Sequence, residues 1–332
     1  MNKLKISFEH EKFPLKDGFT ISRGTRDVIE VIKVKITDGV FIGYGECSPN
    51  KRYSQSISSE IDKLKLIKKF MKNTSVDYNN LKLVDLCGPG PASAAANSAL
   101  LDYKLKKMNK TIWEYLKINE PKFIKTMVTI DISSLEKMLK KAERYKKYKI
   151  FKIKLTGKNE DFNKLNKIRE IYPKKNIIVD ANESILPENL KNYLTICERL
   201  GIEMIEQPMR PEFDQLLTNI KSKIIFCADE SCRDMSDISK VKGYYNAINI
   251  KLDKAGGLIE ALNMCLSAKK YGLLVMTGCM MCTSLGIAPA QVLASCSDYV
   301  DLDAPLFLEK DRPNSMNFDS GKISVAKKIL WG

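Results

Sequence analysis

Lys152 and Lys154 stand two residues apart in an apolar segment, 150–155. In a strand, that spacing puts both ammonium groups on one face. Further along come Asp180, Glu206 and Asp229, each about one βα unit from the last, and then Lys251. Three carboxylates with no histidine or thiolate among them make a hard, all-oxygen donor set, for which Mg²⁺ is the natural ion. A lysine beside a second ammonium and a dication gives up its proton more easily, so it can act as a base near neutrality. Singly, Asp180-Ala-Asn, Glu206-Gln-Pro and Asp229-Glu-Ser are weak signals, and a lysine pair in a lysine-rich chain is weaker still. Their order and spacing carry the argument.

Those residues need a frame. From about Lys125, short β-rich segments alternate with amphipathic ones. Strands are expected at 126–131, 150–155, 176–180, 202–206, 224–228, 247–251, 273–277 and 299–303. Stretches such as 162–171, 188–200 and 258–271 have helical spacing. Eight strands with crossover helices suit a (β/α)₈ barrel over residues 119–305. A doubly wound sheet would show a glycine-rich phosphate loop after its first strand, and none is present. Each polar residue named above falls at or near the C-terminal end of its strand, the rim where barrel sites lie. Lys154 on the second barrel strand and Lys251 on the sixth then face each other across the mouth. One base on each face of a planar intermediate moves a proton from one side of a carbon to the other. The reaction class is a 1,1-proton transfer next to a carboxylate, with one Mg²⁺ per subunit stabilising the enediolate.

Residues 1–118 read as an α+β capping domain. Strands are expected at 3–9, 28–37 and 41–47, and helices at 59–71 and 92–107, with Gly88-Pro-Gly-Pro91 as the break between them. Residues 16–26 read as a polar loop carrying Arg23 and Arg26. The tail, 306–332, includes a strand or hairpin at 317–325 and is expected to return towards the capping domain.

Composition narrows the classes. The chain has 332 residues, 44% of them hydrophobic, enough for a sizeable core. No apolar run approaches the ~18 residues of a membrane helix, and the start lacks the features of a secretory signal. The expectation is a cytoplasmic protein. The net charge of +15 is mostly lysine spread along the whole chain, which reads as a solvated surface and not as a nucleic-acid face. The only histidine is His10. Acid–base work must therefore fall to other residues. The nine cysteines are odd in number and scattered, with Cys279 and Cys282 forming a lone C-x-x-C; structural thiols are expected.

With these residues in hand, the chain resembles the enolase superfamily, and its muconate-lactonising subgroup in particular, over nearly its whole length. The resemblance rests on Lys152/Lys154, the three acidic triplets and Asn249-Ile-Lys-Leu-Asp-Lys-Ala-Gly-Gly257. A mandelate-racemase type would need a histidine near the seventh strand, which is absent. More narrowly, several segments look like dipeptide epimerases acting on L-Ala-D/L-Glu. They are Arg23-Gly-Thr-Arg26, Val179-Asp-Ala-Asn-Glu-Ser184, Cys227-Ala-Asp-Glu-Ser-Cys232, Gly278-Cys-Met-Met-Cys-Thr-Ser284 and Asp301-Leu-Asp-Ala-Pro305. The resemblance implies that Asp301 and Asp303 hold a substrate ammonium, that Arg26 or Arg23 meets an acidic side chain, and that Thr129 lines the substrate. Many members of the subgroup carry a glutamate where this chain has Cys282, which weakens a cycloisomerase reading. The expected partners are a dipeptide and, in a homo-oligomer, further copies of the chain, with no nucleic acid or membrane. Epimerases for apolar dipeptides, an o-succinylbenzoate synthase or cycloisomerase, a Schiff-base aldolase and a non-catalytic binding barrel remain as alternatives.

Overall fold

A computed structural model describes residues 4–73, 83–218 and 220–332. Three antiparallel strands open the chain: β1 (Lys5–Ile21), β2 (Gly24–Thr37) and β3 (Ile42–Cys47). Helices Ile57–Asn73 and Pro91–Met108 pack against them around their own apolar cluster, which includes Ile32, Val34, Ile36, Leu64 and Ala95. The sheet and the second helix approach closely because both are built from small residues. Gly43 and Gly45 alternate on β3, facing the alanine-rich helix. A Cβ on Gly43 would lie 2.1 Å from the Ala99 carbonyl oxygen, and one on Gly45 equally near that of Ala95.

Residues 16–26 differ from the expected loop. They form the tip of a long hairpin in which Phe19 pairs with Arg26 and Ile21 with Gly24. A register shift between Pro14 and Phe19 absorbs the extra residues, including Gly18 at φ 66°. The polar composition marks an edge that leans over solvent, and the backbone pairing survives because β1 and β2 are already in register below the bulge.

The second part is a parallel sheet of eight strands in sequence order: β5 (Val128–Ile130), β6 (Ile150–Lys154), β7 (Asn176–Asp180), β8 (Met204–Glu206), β9 (Ile225–Ala228), β10 (Ala247–Lys251), β11 (Leu274–Gly278) and β12 (Tyr299–Asp301). It closes on itself. The Met127 amide donates to the Val300 carbonyl at 2.9 Å, and the Leu302 amide to Thr126 Oγ1 at 3.0 Å. Helices such as Glu160–Ile171, Leu190–Arg199 and Leu258–Lys270 alternate with the strands.

The period of two along each strand sorts the barrel interior into layers. Ile178, Met204, Cys227 and Met276 pack in one buried apolar cluster. Two residues further along three of these strands come Asp180, Glu206 and Asp229. A dry plug thus underlies a polar top layer.

Contacts at the mouth and through the tail fasten the first part to the barrel. Buried Glu46, at the end of β3, takes Arg312 Nη2 at 2.6 Å and the Thr283 amide at 2.8 Å. The Ser48 amide donates to Asp253 at 2.8 Å. The tail hairpin, β13 (Phe318–Asp319) with β14 (Lys322–Ile323), pairs with a short strand β4 (Ile124–Lys125) before the barrel. The final residues reach helix Pro91–Met108: the Trp331 indole donates to the Ser98 carbonyl, and the Gly332 amide to Asp102. No helix among the described residues is long and apolar enough to cross a membrane.

The close helix–sheet approach is testable. Gly43→Ala is expected to destabilise the protein by about 1–3 kcal/mol through overpacking. Gly243→Ala, where an added Cβ meets nothing within 4 Å, should change stability little. Urea unfolding of both variants checks the contrast.

Candidate active site

The barrel strands and the tip of the β1–β2 hairpin bring every sequence-selected residue to one mouth. Lys152, Lys154, Asp229, Lys251, Asp301, Asp303, Thr129, Arg23 and Arg26 line a single pocket there. Asp180 and Glu206 lie at its floor, touching its lysines.

The floor is a lattice of alternating charge. Lys152 is 2% exposed, and its Nζ lies 2.6 Å from Asp301, 2.7 Å from Glu206 and 3.0 Å from Asp180. Lys154 Nζ donates to Asp180 Oδ2 at 2.6 Å and Asn182 Oδ1 at 3.1 Å. Across the barrel, Lys251 Nζ donates to Asp229 Oδ2 at 2.6 Å. Asp229 Oδ1 accepts from Lys254 at 2.7 Å. Buried charges persist only when paired in this way; breaking one such pair by removing a partner costs about 3–5 kcal/mol.

Proton affinities follow from this pairing. Burial works to raise Asp180, but Lys154 and Lys152 outweigh it and hold the carboxyl well below its usual range. Asp229 lies below its range for the same reason, with Lys251 and Lys254 as the cations. Glu206 is pushed up by burial and by Asp180 and Asp229, against the pull of Lys152. Burial works to lower Lys251, yet Asp229 and Glu206 lift it above the ordinary lysine range, and Lys152 is lifted likewise by Asp301, Glu206 and Asp180. The lysine-pair argument expects the opposite direction. At Lys152 and Lys251 the reason for the difference is that the ammonium sits against carboxylates, whose attraction exceeds the repulsion between the cations.

Among the described residues, no three histidine, cysteine or acidic side chains form a ready-made metal cage. The donor set nevertheless fits Mg²⁺. Asp180 and Glu206 end β7 and β8, Asp229 directly follows β9, and all three are 2% exposed or less. Glu206 Oε2 faces Lys152 but accepts no hydrogen bond of good geometry. Glu206 has one lysine in contact, Lys152, and Asp180 and Asp229 raise it further, so this carboxylate favours added positive charge.

On the β12 side, Asp301 Oδ1 is buried without a hydrogen-bond partner. Asp303 takes the Thr129 amide at 2.6 Å. Burial, with Asp301 alongside, pushes the Asp303 carboxyl up to about 7. Thr129 therefore holds Asp303 through its backbone. The two arginines diverge. Arg23 pairs with Glu230 and Glu183. Among the described residues Arg26 makes no ion pair; burial and the charge of Arg23 lower its affinity for a proton.

Several residues inside the quoted motifs have site contacts that the sequence does not assign. Asn182 bridges Lys154, Glu230 and Asp180. Asn249 donates to Glu206 Oε1 at 2.8 Å. Gln207 Oε1 accepts the Asp229 and Ser231 amides, tying the β8 rim to that of β9. Lys254 also reaches the Asp229, Cys232 and Asn249 carbonyls. The available signal was adjacency: each lies within three residues of a selected residue. Cys279 lines the mouth and donates to the Asp301 carbonyl at 3.5 Å, with Cys282 beside it.

The comparisons agree with this geometry. Residues 136–328 match the family described as enolase C-terminal domain-like. The L-Ala-D/L-Glu epimerase of Escherichia coli is 32% identical over 98% of this chain and all of its own. An N-acetyl-D-glutamate racemase of a Pseudoalteromonas species is 34% identical over 91% of this chain and 95% of its own. Among solved structures, an enolase family member from Agrobacterium tumefaciens with homology to dipeptide epimerases superposes with a TM-score of 0.94 at 35% identity. That likeness covers 99% of this chain and all of that one, and the relative was solved with sodium, L-Ala-L-Glu and an ordered loop. On the fold, the ordered acids and lysines and these relatives together, the chain belongs to the enolase superfamily, within its group of dipeptide epimerases and amino-acid racemases.

Proposed function

We propose that this chain epimerises a dipeptide at the α-carbon next to its C-terminal carboxylate, with L-Ala-D/L-Glu as the substrate. The observation that carries the reading is the placement of Lys154 and Lys251 on β6 and β10, four strands apart around the barrel. A carbon held between them presents one face to each. The neutral lysine removes the α-proton, the carbon becomes planar, and the opposite ammonium returns a proton to the other face. Which lysine starts neutral sets the direction, so both stereoisomers are substrates. Lys152, locked among three carboxylates, serves as a fixed positive charge and not as a base.

Asp180, Glu206 and Asp229 would hold one Mg²⁺, which when bound supplies positive charge beside the substrate carboxylate and draws the acids' charge away from the lysines. The dipeptide's α-ammonium goes to Asp301 and Asp303. Asp301 Oδ1 lacks a donor, and an ammonium brings three donors and a charge. An acylated nitrogen brings one donor and none of the charge, which favours a free dipeptide over the N-acetyl substrate in the Pseudoalteromonas relative's name. The side chain of the second residue faces the hairpin tip, where Arg26, without an ion pair among the described residues, selects an acidic group. A dipeptide of this kind is a fragment of peptidoglycan, so the reading places the enzyme in the cytoplasm, in the reuse of cell-wall peptides.

The two-base arrangement makes an isotopic prediction. In deuterated water, wild type should place one deuteron at the α-carbon of the second residue, read by mass spectrometry. Lys154→Ala and Lys251→Ala should each abolish epimerisation, while each exchanges the α-proton of only one stereoisomer. Chelation should stop all exchange, and Mg²⁺ should restore it. Epimerisation at the wild-type rate in Lys251→Ala would refute the assignment.

The ammonium site predicts a pH dependence. The Asp303 carboxyl is raised to about 7, so it is protonated below that pH and cannot pair with a cation. kcat/KM for L-Ala-L-Glu should fall about tenfold per pH unit below ~7. Asp303→Asn should have a low value throughout, without that acid limb. An unchanged limb in the variant would move the titration to another group.

Arg26→Ala should lower kcat/KM for L-Ala-L-Glu about ten- to a hundredfold, the worth of one desolvated charge pair of ~1.5–3 kcal/mol, and spare L-Ala-L-Leu. An unchanged ratio between the two dipeptides would remove Arg26 from substrate selection.

A further inference from the structure

Arg23 lies three residues from Arg26 on the same hairpin tip, but its charge is already committed. Its Nη1 stands 2.9 Å from Glu230 Oε1, 3.2 Å from Glu183 Oε2 and 2.9 Å from the Asn182 carbonyl oxygen. Ser22 Oγ donates to the same carbonyl at 3.2 Å. A second arginine reaches Glu183 from elsewhere in the first domain. Arg52, in the turn Lys51–Tyr53, makes a two-pronged contact with Nε at 2.6 Å from Oε2 and Nη2 at 2.5 Å from Oε1. Two segments that lean over the barrel thus converge on one carboxylate, whose side chain is only 7% exposed.

The segment they grip is unusual. Asn182 and Glu183 are consecutive non-glycine residues in the left-handed region, at φ 43° and 71°. Such a backbone persists only where its surroundings hold it. The Asn182 side chain in turn accepts Lys154 Nζ at 3.1 Å and donates to Glu230 at 3.3 Å, and its amide donates to Asp180 Oδ1 at 2.9 Å. A single residue therefore joins the hairpin tip to a lysine of the barrel mouth.

We infer that Arg23 is a positioning residue: it latches the tip of the β1–β2 hairpin onto segment 182–183, and the same contact holds the partner of Lys154. Closure over the mouth and the seating of that lysine are then one event. Arg23 does not select the second side chain of a dipeptide, because two carboxylates, Glu230 and Glu183, already match its charge through Nη1. The link to Lys154 rests on the function proposed above; the latch itself can be measured without turnover.

The test compares wild type, Arg23→Gln and Arg23→Lys by amide hydrogen exchange and by steady-state kinetics on L-Ala-L-Glu and L-Ala-L-Leu. With Arg23→Gln, exchange in peptides covering 16–26 and 181–186 should rise about tenfold, while β10 stays protected. kcat/KM should fall by a similar factor for both dipeptides, leaving their ratio unchanged. Arg23→Lys, which keeps the charge but not the planar fork, should recover part of both effects. Unchanged exchange in both segments would overturn the latch, and so would a loss confined to the acidic dipeptide. If Arg23→Gln also loses protection in β10, Arg23→Lys decides: loss in β10 again makes the effect global and overturns the latch, whereas a protected β10 with tip exchange between those of wild type and Arg23→Gln supports it. If wild type epimerises neither dipeptide, the proposed function fails, and the exchange arm still decides the latch.

Discussion

The structure depends on keeping many charges buried in a small space. Lys152, Lys251 and Lys254, with Asp180, Glu206, Asp229, Asp301 and Asp303, are all buried within one barrel mouth. No strand could hold such a set alone, because desolvating a single unpaired charge costs more than the whole net stability of a domain. The barrel solves this by alternation around its rim. Lysines from β6 and β10 reach acids at the ends of β7, β8, β9 and β12, so that Asp180, Glu206, Asp229 and Asp301 each find a cation from another strand, while Asp303 takes the Thr129 amide.

That same lattice readies the mouth for chemistry. Lys152 and Lys251 are bound to acids that raise their hold on a proton; a dication on those acids competes for the same negative charge. Proton affinity and metal affinity are thereby linked through shared carboxylates. Below the lattice, the apolar layer of Ile178, Met204, Cys227 and Met276 excludes water from the floor, which strengthens every electrostatic contact above it.

The first domain finishes the site from above. Its sheet is pinned to the barrel by Glu46 with Arg312 and by Ser48 with Asp253. From that anchored base the β1–β2 hairpin carries Arg23 and Arg26 out over the mouth. The two arginines share a turn yet have different surroundings, one satisfied by carboxylates and the other open. The division of labour between them is set by what the barrel rim offers and not by their own chemistry.

Strand positions, barrel class, and the order of acids and lysines on the rim were all legible in the chain. A parallel barrel repeats one βα unit, and alternation along a strand fixes which side chains point inward, so spacing alone places Lys154, Asp180, Glu206 and Lys251. Other features were decided only by tertiary structure. The 16–26 segment reads as a loop because its residues are polar, and only pairing with β2 makes it a hairpin. The direction of the lysine shifts turned on which charges lie nearest. The contacts of Arg23 with Glu183 and Glu230 join segments far apart in the chain. Local periodicity encodes what a residue faces along its own strand; it carries no information about which distant charge will stand 3 Å away.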